Sequence, residues 1–160
     1  MGTDNPPATT DSNSMLDMNI PKYGNDNIHE ITSIGDYELR IDLQDWDGQT
    51  WYAIYKSFRV GDESTKYTLS LGSYTGTAGD SLSYQNGMKF STYDEDNDAL
   101  NGVDCAQRDQ AGWWYNQCHV VNSNGLYKKG TSDKHNVVSW NGARGEKYSM
   151  KFARMMIRRA

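Results

Sequence analysis

Between residues 72 and 146 the chain abandons regular hydrophobic periodicity. Gly, Asn, Ser and Asp alternate there with Tyr and Trp, and no run repeats with the period of a strand or a helix. A structureless segment that long is uncommon in a compact domain unless it is functional or pinned from within. Strand-like segments bracket it. Tyr37, Leu39, Ile41 and Leu43 alternate with polar residues, Tyr67, Leu69 and Leu71 do so again, and Tyr148, Met150 and Phe152 repeat the pattern near the end. Asp47-Gly48 marks a turn, and the aromatic run from Trp51 to Val60 reads as the returning strand of a hairpin. The expectation is an antiparallel sheet with one covered face, supporting a loop region in which function is to be sought. Residues 1–22 are polar and unpatterned, and read as a disordered or divergent arm.

Leu, Ile, Val and Phe together make up only 24 of 160 residues, and mean hydropathy is −0.84. Such poverty signals disorder when net charge is high. Here the net charge is −5, and five Trp and eleven Tyr supply rings that each bury more area than a valine. An aromatic core with much loop follows. No apolar run approaches the ~20 residues of a membrane span. Residues 1–20 lack the basic start and apolar stretch of a signal peptide. Residues 128–160 hold nine cations against two acids, so the rest of the chain is acidic. Those cations are spaced along the sequence, which favours neutralisation within the fold over binding of nucleic acid or an anionic glycan.

Several motifs bear on chemistry. The run Asp94-Glu95-Asp96-Asn97-Asp98 repels itself unless solvated or neutralised, and oxygen donors of this kind suit calcium. An EF-hand frame fails, with Ala99 in place of its glycine and Cys105 in place of its last glutamate. A site here needs a different loop, with carbonyls from Ala99 to Gly102; a solvated acidic loop is the competing reading. Gly79-Asp80-Ser81-Leu82 matches the short signature of GDSL-type hydrolases, whose serine needs a histidine base oriented by a carboxylate. The histidines are His29, His119 and His135, Asp133 lies two residues before His135 rather than three, and helix-period segments are missing, so a Gly-rich turn is preferred. Gly72 to Gly79 lacks the Gly-Lys-Ser/Thr ending of a phosphate loop. Gly112 to His119, with Trp113-Trp114-Tyr115 beside Cys118, reads as the rim of a ligand pocket, with His119 structural. Cys105 and Cys118 lack zinc-site spacing. A disulfide between them would close about 14 residues and contribute roughly 3 kcal/mol in the chain-entropy model; two free buried thiols are the alternative.

Taken in order, the motifs resemble the fibrinogen C-terminal-like domain. They are Phe58-Arg59-Val60-Gly61, Tyr67 to Leu71, Gly72 to Leu82, Asn86 to Thr92, Asp94 to Asp98, Cys105, Trp113-Trp114, Cys118-His119, Asn124 to Tyr127 and Tyr148 to Arg158. The resemblance makes Thr77 to Leu82 this family's own turn rather than a catalytic motif, and implies a non-enzymatic, extracellular recognition module. It implies an α+β fold, a twisted antiparallel sheet with short helices and a loop-rich lobe that binds calcium and ligand. Asp96 and Asp98 would supply calcium ligands from their side chains, and Leu100 and Gly102 from their carbonyls. Cys105 and Cys118 match the family's disulfide beside the pocket, where the peptide between Gln117 and Cys118 is expected to be cis. The ligand site implied comprises Asp109, Gln117, Cys118, His119, Lys134 and His135.

Lectin members hold an acetyl group there. This sequence has Asp109 where a tyrosine is expected, and Lys134-His135 where those lectins often have Tyr-Ala. Asp109 matches fibrinogen chains, whose pocket takes a cationic peptide terminus. The expected function is glycan recognition, acetylated sugars included, in innate immunity; the alternative is a protein- or peptide-binding module. Neither nucleic-acid binding nor membrane insertion is expected. The family's opening third has no counterpart in residues 1–22. The domain is therefore placed at 23–160 without that third, with edge strands open to homo-oligomer formation.

Overall fold

The structure, a computed structural model, describes residues 16–17 and 20–160. The reading of residues 1–22 as an arm falls largely outside them. The elements are β1 (Leu16–Asp17), α1 (Ile20–Ser33), β2 (Tyr37–Gln44), β3 (Thr50–Tyr55), β4 (Phe58–Val60), β5 (Leu69–Leu71), β6 (Tyr74–Gly76), α2 (Cys105–Asp109), β7 (Val121–Asn122), β8 (Gly130–Thr131), β9 (Ser139–Trp140), α3 (Asn141–Arg144), β10 (Tyr148–Ser149) and β11 (Phe152–Arg159). An antiparallel sheet runs in the order β1-β11-β2-β3-β6, and three two-stranded ladders, β4-β5, β7-β9 and β8-β10, surround it. This is the expected α+β architecture.

Alternation in β2 sets the covered face. Leu39, Ile41 and Leu43 pair with Tyr55, Ala53 and Trp51 on β3, and with Ile157, Met155 and Ala153 on β11. Their side chains therefore share one side of the pleat, and Leu39, Ile41, Ala53, Tyr55 and Ile157 are fully buried. The β2–β3 hairpin forms as expected at Asp47-Gly48, but buried Asp45 organises it. Asp45 Oδ1 accepts the N–H groups of Asp47 and Gln49 at 3.0 and 2.8 Å, and Oδ2 receives Arg144 Nη1 at 2.6 Å.

Three expectations are corrected. The run Trp51 to Val60 is two strands, because the chain leaves the main sheet after Tyr55 and β4 pairs with β5 instead. Tyr148, Met150 and Phe152 do not share a strand. Met150 N–H donates to Val138 O and Lys151 N–H to Gln44 O, so the chain changes partners there and β11 enters the main sheet between β1 and β2. A period of two cannot report such a change. Helix α1 carries too few apolar residues, Ile28 and Ile31 after its break at Gly24, to show a helical stripe. It is held by tertiary bonds: Val60 N–H donates to Thr32 Oγ1 at 3.2 Å, and His29 Nδ1–H donates to Val60 O at 2.8 Å.

The patternless region folds around aromatics. Trp113, Trp114, Tyr115 and Trp140 are fully buried, so the expected pocket rim is core. Burial requires partners for most of their polar atoms. Trp114 Nε1–H donates to Tyr67 O at 2.8 Å, Trp140 Nε1–H to Gly79 O at 3.0 Å, and Tyr115 Oη to Ala111 O at 3.0 Å. Trp114 meets Phe90 and Trp113 edge to face, with centroids 5.2 Å apart in both cases. Ser81 belongs to the same packing, since its buried Oγ accepts Gly142 N–H at 2.9 Å.

Candidate functional site

The acidic run curls into a loop through its own side chains. Asp96 Oδ1 accepts Asp98 N–H at 3.1 Å, and Asp98 Oδ1 accepts Leu100 N–H at 2.8 Å. The loop is stitched to the aromatic core by Asn97, whose N–H donates to Ser91 Oγ and whose Nδ2 donates to Phe90 O. Carboxylate oxygens of Asp96, Asp98 and Asp104 come within 4.8 Å of one another. Burial and the Asp96 carboxylate push the Asp98 carboxyl above its ordinary range. Three hard oxygen donors that repel one another are the chemistry a divalent cation such as calcium relieves, so the residues fit that group.

Asp104 is the member the sequence reading missed. It also caps α2, its Oδ1 accepting Gln107 N–H at 2.9 Å. The spacing of Asp104 and Gln107, an acceptor followed three residues later by Gln, was the available signal.

Asp98 faces two ways. Its Oδ2 accepts Cys105 N–H at 2.8 Å, and Cys105 is disulfide-bonded to Cys118 with Cα atoms 5.3 Å apart. The expected disulfide is thus present. A second tie joins the two segments, from Ala99 N–H to Asn116 O at 3.1 Å. The expected cis peptide before Cys118 is not: among the described residues every peptide is trans. Cys118 turns the chain with φ +22° instead, and Asn116 N–H closes the turn on Cys118 O at 2.8 Å. A trans bond avoids the ~3 kcal/mol of a cis non-proline peptide; the disulfide and the closing bond hold the left-handed residue in its place.

The six expected ligand residues divide. Asp109, Cys118 and His119 are buried, Asp109 at 2% exposure. Arg108, absent from the sequence reading, covers Asp109 in a two-pronged pair, Nε to Oδ1 at 2.8 Å and Nη2 to Oδ2 at 2.7 Å. Burial alone would raise the Asp109 carboxyl, but His119 and Arg108 outweigh it and hold it below the usual range. His119 Nε2 lies 3.3 Å from Asp109 Oδ2 without hydrogen-bond alignment, and neither ring nitrogen has a hydrogen-bond partner among the described residues. Gln117 is exposed above this buried set. Lys134 and His135 are exposed, and His135 Nδ1 pairs with Glu146 Oε2 at 3.2 Å along an open groove of about 450 Å³.

A family profile described as "Fibrinogen beta and gamma chains, C-terminal globular domain" matches residues 19–160. The chain is 48% identical over 149 residues to fibrinogen-like protein 1 of Bos taurus, covering 84% of this chain and 47% of that protein. It is 47% identical over 137 residues to ryncolin-4 of Cerberus rynchops, covering 39% of that protein. Among solved structures, the fibrinogen-like globe domain of human ANGPTL6 superposes with a TM-score of 0.83 at 41% identity, over 86% of this chain and 63% of the other. Lamprey fibrin D-dimer, complexed with the peptide Gly-His-Arg-Pro-amide, gives 0.81 at 34% identity, over 85% and 49%. The chain spans about half the length of fibrinogen-like protein 1. With the profile covering the sheet, the acidic loop and the disulfide together, this chain belongs to the fibrinogen C-terminal globular domain family.

Proposed function

We propose that the chain is an extracellular, non-enzymatic recognition module, supported by calcium, that binds a neutral glycan such as an acetylated sugar at the surface around Gln117, beside the buried Cys118. The carrying observation is the double engagement of Asp98, with the carboxylate cluster on one side and Cys105 N–H on the other. Asp96, Asp98 and Asp104, with the carbonyls of Leu100 and Gly102, would hold the calcium ion, which supplies charge neutralisation. The chain then transmits order from Asp98 through Cys105 and the disulfide to Cys118. An extracellular setting agrees with that disulfide.

Arg108 decides the ligand chemistry. The Asp109 charge is already matched, so no bare carboxylate is offered to an amine or guanidinium. A neutral ligand held by the Gln117 amide and adjoining backbone suits such a surface better. Likeness to a lamprey fibrin complexed with a peptide supports a second reading, in which the ligand is a peptide or protein.

A glycan array followed by calorimetry separates them. The expected result is binding of N-acetylated sugars in calcium that is lost in EDTA and in Asp96→Ala. Binding that survives both removes the role of calcium. Binding of Gly-His-Arg-Pro-amide without any sugar binding establishes the second reading. Hydrogen exchange should show EDTA loosening residues 96–118 while β2, β3 and β11 stay protected.

A further inference from the structure

We propose that the β8–β10 ladder carries a separate binding surface for a sulfated polysaccharide, built from Lys128, Lys129 and Lys151 beside the rings of Trp46 and Tyr127 and extended by Lys147 at the far end of the ladder. The register Thr131↔Tyr148 and Gly130↔Ser149 brings Lys128 and Lys129, just before β8, alongside Lys151, just after β10. Lys128 N–H donates to Ser149 Oγ and Tyr127 Oη to Lys151 O, both at 3.0 Å, and Trp46 Nε1–H donates to Ser149 O at 3.0 Å. The indole therefore lies under two of the lysines. Lys129 Nζ and Lys151 Nζ are 5.5 and 5.9 Å from its ring centroid, and the Tyr127 ring is 6.0 Å away and tilted by 50°. Lys147 enters from the opposite strand end, its carbonyl accepting Ser132 N–H at 2.7 Å.

Three of the four nearby acids pair with other residues. Asp45 and Asp47 pair with Arg144, and Glu146 with His135; Asp133 is exposed. None of the four lysines makes an ion pair with a described residue. In sequence these cations are spaced, but the ladder gathers them.

Like charges gathered without internal partners are neutralised by an external polyanion. Compact ammonium groups on flexible stems suit anionic groups repeated along a chain, and the two rings offer apolar faces to sugar rings. The disulfide places the chain in an oxidising compartment, which favours a sulfated glycan over nucleic acid. The surface shares no residue with the calcium-supported site and needs no calcium.

The test is binding of the full chain to immobilised heparin in EDTA by surface plasmon resonance. Expected are affinity that falls with salt and a loss of at least about tenfold in Lys129→Ala/Lys151→Ala. The slope of log affinity against log salt should fall by about two. Lys89→Ala should change neither. Should the double variant melt early, Lys128→Ala/Lys147→Ala carries the same expectation. Unchanged heparin affinity in the folded variants, equal binding of desulfated heparin, or tighter binding of duplex DNA would each overturn the proposal.

Discussion

Replacing Asp98 with alanine removes an acceptor from two backbone N–H groups, those of Leu100 and Cys105, each at 2.8 Å. Hydrogen bonds to a charged group contribute about 1.5–3 kcal/mol each, and half-burial puts these at the low end, about 3 kcal/mol for the pair. Removing the carboxylate also relieves repulsion, because burial and Asp96 already push its carboxyl upward. The net loss should be about 2 kcal/mol. For a domain of this size that lowers Tm by about 4–8 °C. Asp96 is exposed and accepts one N–H at 3.1 Å, so Asp96→Ala should cost about 0.5 kcal/mol. Thermal unfolding in EDTA, followed by calcium titration, reads both terms. The expected pattern is a clear drop for Asp98→Ala alone in EDTA and a calcium-dependent rise in Tm for wild type but for neither variant. Amide exchange at Leu100 and Cys105 should accelerate in Asp98→Ala. If the two variants melt together in EDTA, Asp98 does not tie the acidic loop to the disulfide, and the coupling to Cys118 fails with it.

Other consequences follow from the same contacts. Cys105→Ser/Cys118→Ser should lower stability by roughly 3 kcal/mol in urea unfolding; an unchanged midpoint would mean the loop is pinned without the disulfide. Gly125→Ala should be far worse than Gly102→Ala. A Cβ at 125 would meet Val137 O at 2.4 Å, in backbone that cannot yield, whereas one at 102 meets open space and carries only the cost of φ +79°, about 1 kcal/mol. Comparable melting of the two would contradict the packing of Gly125 on Val137. For Asp109 the folded carboxyl is depressed, so its pairing contributes stability above the unfolded pKa near 3.9, lost as pH falls through the folded value. Asp109→Asn should therefore flatten the acid limb of stability below about pH 4, and an unaltered limb would show that the pair is not formed.

The comparison between sequence and structure turns on which forces are local. Alternation in Tyr37 to Leu43 reports a half-buried strand directly, because the side-chain period of a strand is two whatever it packs against. The abundance of Trp and Tyr likewise announced an aromatic core, and the order of motifs carried the family, the disulfide and the acidic loop. Other features arise only when distant segments meet. Asp104 joins Asp96 and Asp98 because the loop closes onto α2. Arg108 covers Asp109 by side-chain direction, which spacing does not encode. Trp113, Trp114 and Tyr115 lie in the core, where Trp114 and Tyr115 find backbone partners outside the aromatic run, at Tyr67 and at Ala111.

The segment from 72 to 146 shows the division most plainly. Its lack of period agrees with regular elements no longer than α2 there, since period is a property of repeating local geometry. What replaces them, rings stacked edge to face, side chains bonded to backbone, one disulfide and a carboxylate cluster, has no period to display. Those contacts are set by which residues meet in space, and only the tertiary structure decided that. The same holds for charge: sequence placed nine cations in the last part of the chain, and the β8–β10 register brought two of them, Lys129 and Lys151, over one indole.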